Sequence, residues 1–130
     1  MAEPTQSTIL VVEDDPTISA ILRIFLEDSG CRIVVAEMGE EAVRLAHEIK
    51  PDLITLDLAL PDIDGTEVLR QINVDADLAH VPVVVVTARR YEPRPDENVT
   101  AVLQKPFDAT ELEETVKRAL GRPAGETRGS

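Results

Sequence analysis

The sequence predicts an α/β domain: a five-stranded parallel, doubly wound sheet with helices on both faces. Three observations carry this. Five short apolar runs alternate with amphipathic stretches at a regular interval along the chain. Runs one, three and four are apolar throughout, as in strands covered on both faces. The length of 130 residues suits one domain, and 43% hydrophobic residues suffice for a core without disulfides or a metal scaffold.

The elements follow in order. Thr8 to Val12 is a short β-branched strand that ends in three acids, Glu13, Asp14 and Asp15. Asp15 caps the next helix and Pro16 occupies its first turn, where proline is tolerated. Ile18, Ile21, Leu22, Phe25 and Leu26 recur at helical spacing, and Gly30 is the expected stop. Arg32 to Ala36 reads as strand two. Glu40 to Ile49 reads as a helix with Ala42, Leu45, Ala46 and Ile49 on one face, closed by Pro51. Asp52 to Leu56 is strand three, running into Asp57. A loop with Pro61 and Gly65 leads to a helix carrying Val68, Leu69 and Ile72, with Asp64 as its cap. Val81 to Val86 is strand four, running into Thr87, and Val99 to Leu103 is strand five, just before Lys105. Asp108 and Glu111 form a capping box for a last helix with Leu112, Val116, Ala119 and Leu120 as its stripe. Residues 1–7 read as a loose N-terminus, 8–120 as the domain, and the Gly- and Pro-bearing 121–130 as a flexible tail or linker stub.

Aromatics make up 2% of the chain, so the core is aliphatic. Thirteen basic against 25 acidic side chains give a net charge of −12, which disfavours binding to nucleic acid or to anionic membranes. A single cysteine, Cys31, excludes an internal disulfide and suits a reducing compartment. The start of the chain lacks a signal-peptide pattern and the longest apolar run is too short for a bilayer, so the expected location is the cytoplasm. His47 and His80 have no partner at ligand spacing and read as surface residues.

The chemistry-bearing residues fall at strand ends. In an open parallel sheet those ends share one edge, where ligands bind. Glu13, Asp14, Asp57, Thr87 and Lys105 therefore converge in one crevice. Several carboxylates brought together repel one another unless one is protonated or a divalent cation joins them. Hard oxygen donors suit Mg²⁺, with Mn²⁺ also acceptable. A lysine and a hydroxyl beside such an ion suit phosphoryl transfer, for which a carboxylate can be the nucleophile.

The runs ILVVEDDP (Ile9–Pro16), PDLITLDLALPDIDG (Pro51–Gly65), VVVVTAR (Val83–Arg89) and QKPF (Gln104–Phe107) resemble the signature blocks of the response regulator receiver family of two-component signalling, the CheY-like superfamily. The resemblance covers roughly residues 8–120. It implies a flavodoxin-like sheet in the order 2-1-3-4-5. It implies that Asp57 accepts a phosphoryl group from a sensor histidine kinase or phosphotransfer protein, and that the state is passed to an effector domain or downstream protein. Glu13 and Asp14 match the acidic pair that holds Mg²⁺, together with Asp57 and the backbone carbonyl of Ala59. Thr87 matches the hydroxyl that moves toward the phosphoryl group, and Lys105 the phosphate-binding lysine, whose bond to Pro106 is usually cis in the family. Such a domain is a signalling module that catalyses only its own phosphorylation and dephosphorylation, not an enzyme with an external substrate.

Two positions depart from the family pattern. Val102 stands three residues before Lys105, where an aromatic side chain normally rotates inward as the hydroxyl moves. Only 17 residues (88–104) separate Thr87 from Lys105, fewer than usual, and the polar segment Arg89–Asn98 contains Pro93 and Pro95. The helix due between strands four and five is therefore expected to be shortened, missing or mobile. The usual dimer face is weakened with it, leaving a monomer or weak dimer. Signalling is then expected to work by ordering or moving residues 88–99, with Tyr91 a candidate for the missing aromatic. Ala59 and Arg89, two residues after Asp57 and Thr87, give no obvious means of orienting water.

Three other readings use the same residues. A Mg²⁺-dependent phosphatase with an aspartate nucleophile would carry that nucleophile after strand one in a DxDx[TV] pattern, whereas strand one here ends in EDDP. An FMN-binding domain would need a phosphate loop where the three acids stand. A pseudo-receiver, a protein-interaction module without phosphorylation, would have lost parts of a set that is complete here.

Overall fold

The structure is a computed structural model and describes residues 6–121. The elements are β1 (Thr8–Val12), α1 (Pro16–Asp28), β2 (Arg32–Ala36), α2 (Gly39–Ile49), β3 (Leu53–Leu56), α3 (Gly65–Val74), β4 (Val83–Thr87), β5 (Val99–Gln104) and α4 (Ala109–Ala119). The five strands form one parallel sheet in the order β2-β1-β3-β4-β5. This is the predicted doubly wound architecture. The expected loose N-terminus and tail lie mostly outside the described residues.

Side-chain alternation along the strands divides the core into two layers. Leu10, Val12, Ile54, Leu56, Val83 and Val85 face α2 and α3, where Ala42, Ala46, Val68, Leu69 and Ile72 meet them. Ile9, Val11, Leu53, Val84 and Val86 face α1 and α4, against Leu22, Leu26, Leu112 and Val116. Each such fully buried Val, Leu or Ile side chain contributes about 1.5–3 kcal/mol. Cys31 is buried in the second layer.

Local chemistry fixes the helix ends. The Asp15 carboxylate accepts from the amides of Thr17 (2.8 Å) and Ile18 (3.3 Å) ahead of Pro16. Asp64 accepts from Thr66 N (2.9 Å), and the Asp108–Glu111 capping box is complete. Gly30 takes a left-handed φ of 91° just past α1. At the N-terminus of α2, Met38 offers no side-chain cap. Asp62, from the loop after β3, caps it instead, accepting from Gly39 N (2.8 Å) and Glu40 N (3.0 Å). Strand four begins two residues later than expected. Val81 N closes a turn onto Leu78 O (2.9 Å), and Pro82 has no N–H for the ladder.

Among the described residues there is no helix between β4 and β5. Asn98 fastens this shortened connection. Its side-chain amide donates to Ala79 O (3.0 Å) and Val81 O (2.8 Å), and its backbone N–H donates to Asn73 Oδ1 (3.0 Å). Tyr91 packs, like Val102, against the α2/α3 layer, and its hydroxyl donates to the Glu97 carboxylate. No helix among the described residues is long and apolar enough to cross a membrane.

Candidate functional site

The parallel ladder continues one residue past the strands and sets the site. Glu13 N donates to Ala36 O (2.9 Å), Asp57 N to Val12 O (3.0 Å) and Lys105 N to Thr87 O (2.9 Å). These bonds bring three strand ends into register at one edge. An open cleft of about 540 Å³ lies there, lined by Glu13, Asp14, Asp15, Asp57, Ala59, Thr87, Ala88, Arg89 and Lys105. All six residues singled out from the sequence line it.

Lys105 is the electrostatic centre of this cleft. Its Nζ lies 2.8 Å from Glu13 Oε1 and 3.1 Å from Asp57 Oδ2. Glu13, Asp57 and Thr87 are buried, while Asp14 is exposed. Burial pushes the Glu13 carboxyl up to about 7, against the opposing hydrogen bond from Lys105. Burial also works against the Lys105 ammonium, but its bonds to the two carboxylates outweigh this and raise its pKa. Asp57 Oδ1 accepts from Ala59 N (3.2 Å), so the carboxylate is held at both oxygens. Glu13, Asp14 and Asp57 each offer a carboxylate oxygen within 4.8 Å of the others. Three hard donors at that spacing fit a divalent cation of the Mg²⁺ class. The Thr87 hydroxyl accepts from Arg89 N (3.1 Å). The Lys105–Pro106 peptide bond is cis.

Several contacts at the site have no signature in the sequence. Arg89, read from the sequence only as giving no obvious means of orienting water, forms a two-pronged pair with Asp64, at 3.0 Å from Nη1 and 2.9 Å from Nη2. Its Nη2 also donates to Leu58 O (3.2 Å), the carbonyl next to Asp57. The Arg89 guanidinium holds the Asp64 carboxyl well below the usual carboxylate range. Asp64 is thus more than a helix cap. Gly65 approaches so closely that a Cβ there would lie 2.5 Å from Asp57 O and from Leu58 Cα. Gln104 Nε2 donates to Thr87 O (3.2 Å) and Ala88 O (2.9 Å), steadying the strand end that carries Thr87. Away from the cleft, His47 has a partner that spacing along the chain did not reveal. Its Nε2 lies 2.8 Å from Asp75 Oδ2, with Asp77 alongside.

Comparison with known proteins agrees with this geometry. The family model of the response regulator receiver domain matches residues 9–117. The polar-differentiation response regulator DivK of Brucella anthropi is 34% identical over 120 residues, covering 88% of this chain and 96% of DivK. The receiver domain of a Pseudomonas aeruginosa sensor histidine kinase, solved with a magnesium ion coordinated in its active-site cleft, superposes with a TM-score of 0.80 at 29% identity, covering 90% of this chain and 99% of that one. The chemotaxis response regulator CheY4 of Vibrio cholerae gives a TM-score of 0.80 at 25% identity, covering 88% and 99%. A family match across nearly the whole sheet, with the acidic cleft at its strand ends, establishes that the chain belongs to the response regulator receiver family.

Proposed function

We propose that Asp57 is the phosphoacceptor of this receiver domain, and that a sensor histidine kinase or a phosphotransfer protein supplies the phosphoryl group. The observation that carries this reading is Lys105 bridging Glu13 and the buried Asp57 in the cleft that Thr87 lines. An Asp57 carboxylate oxygen forms a P–O bond as the P–N bond of a phosphohistidine breaks, its electron pair passing to the imidazole nitrogen. Lys105 and the Thr87 hydroxyl neutralise and hydrogen-bond the phosphoryl oxygens. Glu13, Asp14, Asp57 and the Ala59 carbonyl would hold Mg²⁺, or Mn²⁺ in its place, which supplies charge neutralisation to the transferring group.

The domain spans 8–120, acts in the cytoplasm as a monomer or weak dimer, and signals to an effector domain or downstream protein. It catalyses only its own phosphorylation and dephosphorylation. Incubation with acetyl phosphate and Mg²⁺, followed by intact-protein mass, tests this. The wild type gains one phosphoryl group and Asp57→Asn gains none. Equal labelling of both would refute Asp57 as acceptor. No labelling by any donor would favour the interaction-module reading, for which Val102 and the missing helix speak. Turnover of a phosphomonoester would favour the phosphatase.

A further inference from the structure

The geometry points to Arg89 as the residue that senses the phosphoryl group, by exchanging Asp64 for it. This rests on the assignment of Asp57 as phosphoacceptor. Three observations converge. Arg89 lines the same cleft as Asp57 and Lys105. Its guanidinium already reaches Leu58 O, one residue from Asp57, and feels the Asp57 charge. Its present anionic partner, Asp64, lies at the rim on an exposed surface, 25 residues away in sequence.

A phosphoryl group on Asp57 carries a charge of about −1.5 to −2 in place of the carboxylate's −1, and brings three acceptor oxygens to the cleft. The planar fork of Arg89 suits that group as well as it suits a carboxylate. The phosphoryl group sits in a partly desolvated site, whereas Asp64 is half exposed and screened by water. The exchange therefore runs toward the cleft. It matters here because Arg89 is the first long side chain of the helix-free connection to β5, and its pair with Asp64 ties that connection to the start of α3. Val102 has no ring with which to report on Thr87. Arg89 does so instead, since its backbone N–H is bonded to the Thr87 hydroxyl and its side chain to α3. The phosphorylated state would free Asp64 and loosen the start of the connection, at Arg89, from α3, while Asn98 stays fastened to Asn73.

The test titrates beryllofluoride, an Asp-bound phosphoryl mimic, into wild type, Asp64→Asn, Arg89→Lys, Arg89→Ala and Asp57→Asn in Mg²⁺. The Arg89 Nε resonance is followed by NMR. Asparagine still caps α3, so Asp64→Asn removes the competing charge while keeping the helix end. Its beryllofluoride affinity should rise about twofold to fivefold, the worth of an exposed two-pronged pair. Arg89→Ala should lose about tenfold, one charge-assisted contact less the Asp64 pair given up for it, with Arg89→Lys between. In the wild type the Arg89 Nε signal should move on binding. Unchanged affinity in Asp64→Asn, unchanged or tighter binding in Arg89→Ala, or an unmoved Arg89 signal would each overturn the exchange. Failure of the wild type to bind, or full binding by Asp57→Asn, would instead remove the acceptor assignment beneath it.

Discussion

Replacing Gly65 by alanine tests whether the backbone packing behind the phosphoacceptor is as tight as the structure makes it. The added Cβ would stand 2.5 Å from both Asp57 O and Leu58 Cα, where ordinary contact begins at 3.4 Å, a shortfall of 3.4 − 2.5 = 0.9 Å. Both obstacles are main-chain atoms, so no rotamer change relieves them. The loop must shift, at a typical overpacking cost of about 1–3 kcal/mol. Alanine at the first residue of α3 returns at most about 1 kcal/mol of helix propensity and chain entropy. A clash on two sides belongs at the upper end of the cost, leaving a net loss of about 2 kcal/mol, or about 6–10 °C in Tm for a domain of this size. The displacement reaches Asp57, so labelling by acetyl phosphate should slow as well. Gly39→Ala is the control. Its Cβ would also lie 2.5 Å from Ile63 Cγ1 and 2.7 Å from Cγ2 of the buried Val68, but these are side-chain atoms, so repacking can relieve the clash without displacing the main chain behind Asp57. Urea and thermal unfolding of both variants decide the matter. A Gly65→Ala protein within about 0.5 kcal/mol of wild type, the range of an inconsequential surface change, would refute the reasoning.

Three further predictions follow from the fold. Asp62→Ala removes the cap that the loop after β3 lends to α2, so the amides of Gly39 and Glu40 should exchange faster with solvent while Asp62→Asn stays near wild type; equal exchange in both variants would contradict the capping role. Asn98→Ala leaves the carbonyls of Ala79 and Val81 without their donor and should cost about 1–3 kcal/mol in urea unfolding, with a midpoint equal to wild type as the contrary result. Leu112→Ala empties a fully buried position beneath α4 and should cost about 2–5 kcal/mol by the same measurement, whereas a loss below 1 kcal/mol would mean that α4 collapses onto the sheet.

What the sequence disclosed and what it withheld differ by the kind of information involved. Asp57, Thr87 and Lys105 could be placed in one cleft because a parallel sheet sends every strand end to the same edge, and each of these residues stands at such an end. Pro93 and Pro95 could mark the helix due between strands four and five as shortened, missing or mobile because proline acts on its own turn of chain. The start of β4 was misjudged because Val81 has the composition of a strand residue, while the turn onto Leu78 decides its pairing. Arg89 with Asp64, Asp62 with α2, and His47 with Asp75 were hidden because each joins residues some two dozen or more positions apart whose types fit any surface. Asp64 was visible as a cap, since capping acts two residues away. Its second bond, to Arg89, depends on how the shortened connection lies across the end of the sheet.

The attachment of Tyr91 to Glu97 also gives the molecule an optical handle. The chain contains one tyrosine and no tryptophan, so its near-ultraviolet chromophore lies almost entirely within the β4–β5 connection. A phenol donating to a carboxylate absorbs at longer wavelength and emits more weakly than one in water. Any event that parts Tyr91 from Glu97 should therefore brighten the protein and shift its absorbance to the blue. The unlabelled chain thus carries its own reporter within the helix-free connection between β4 and β5.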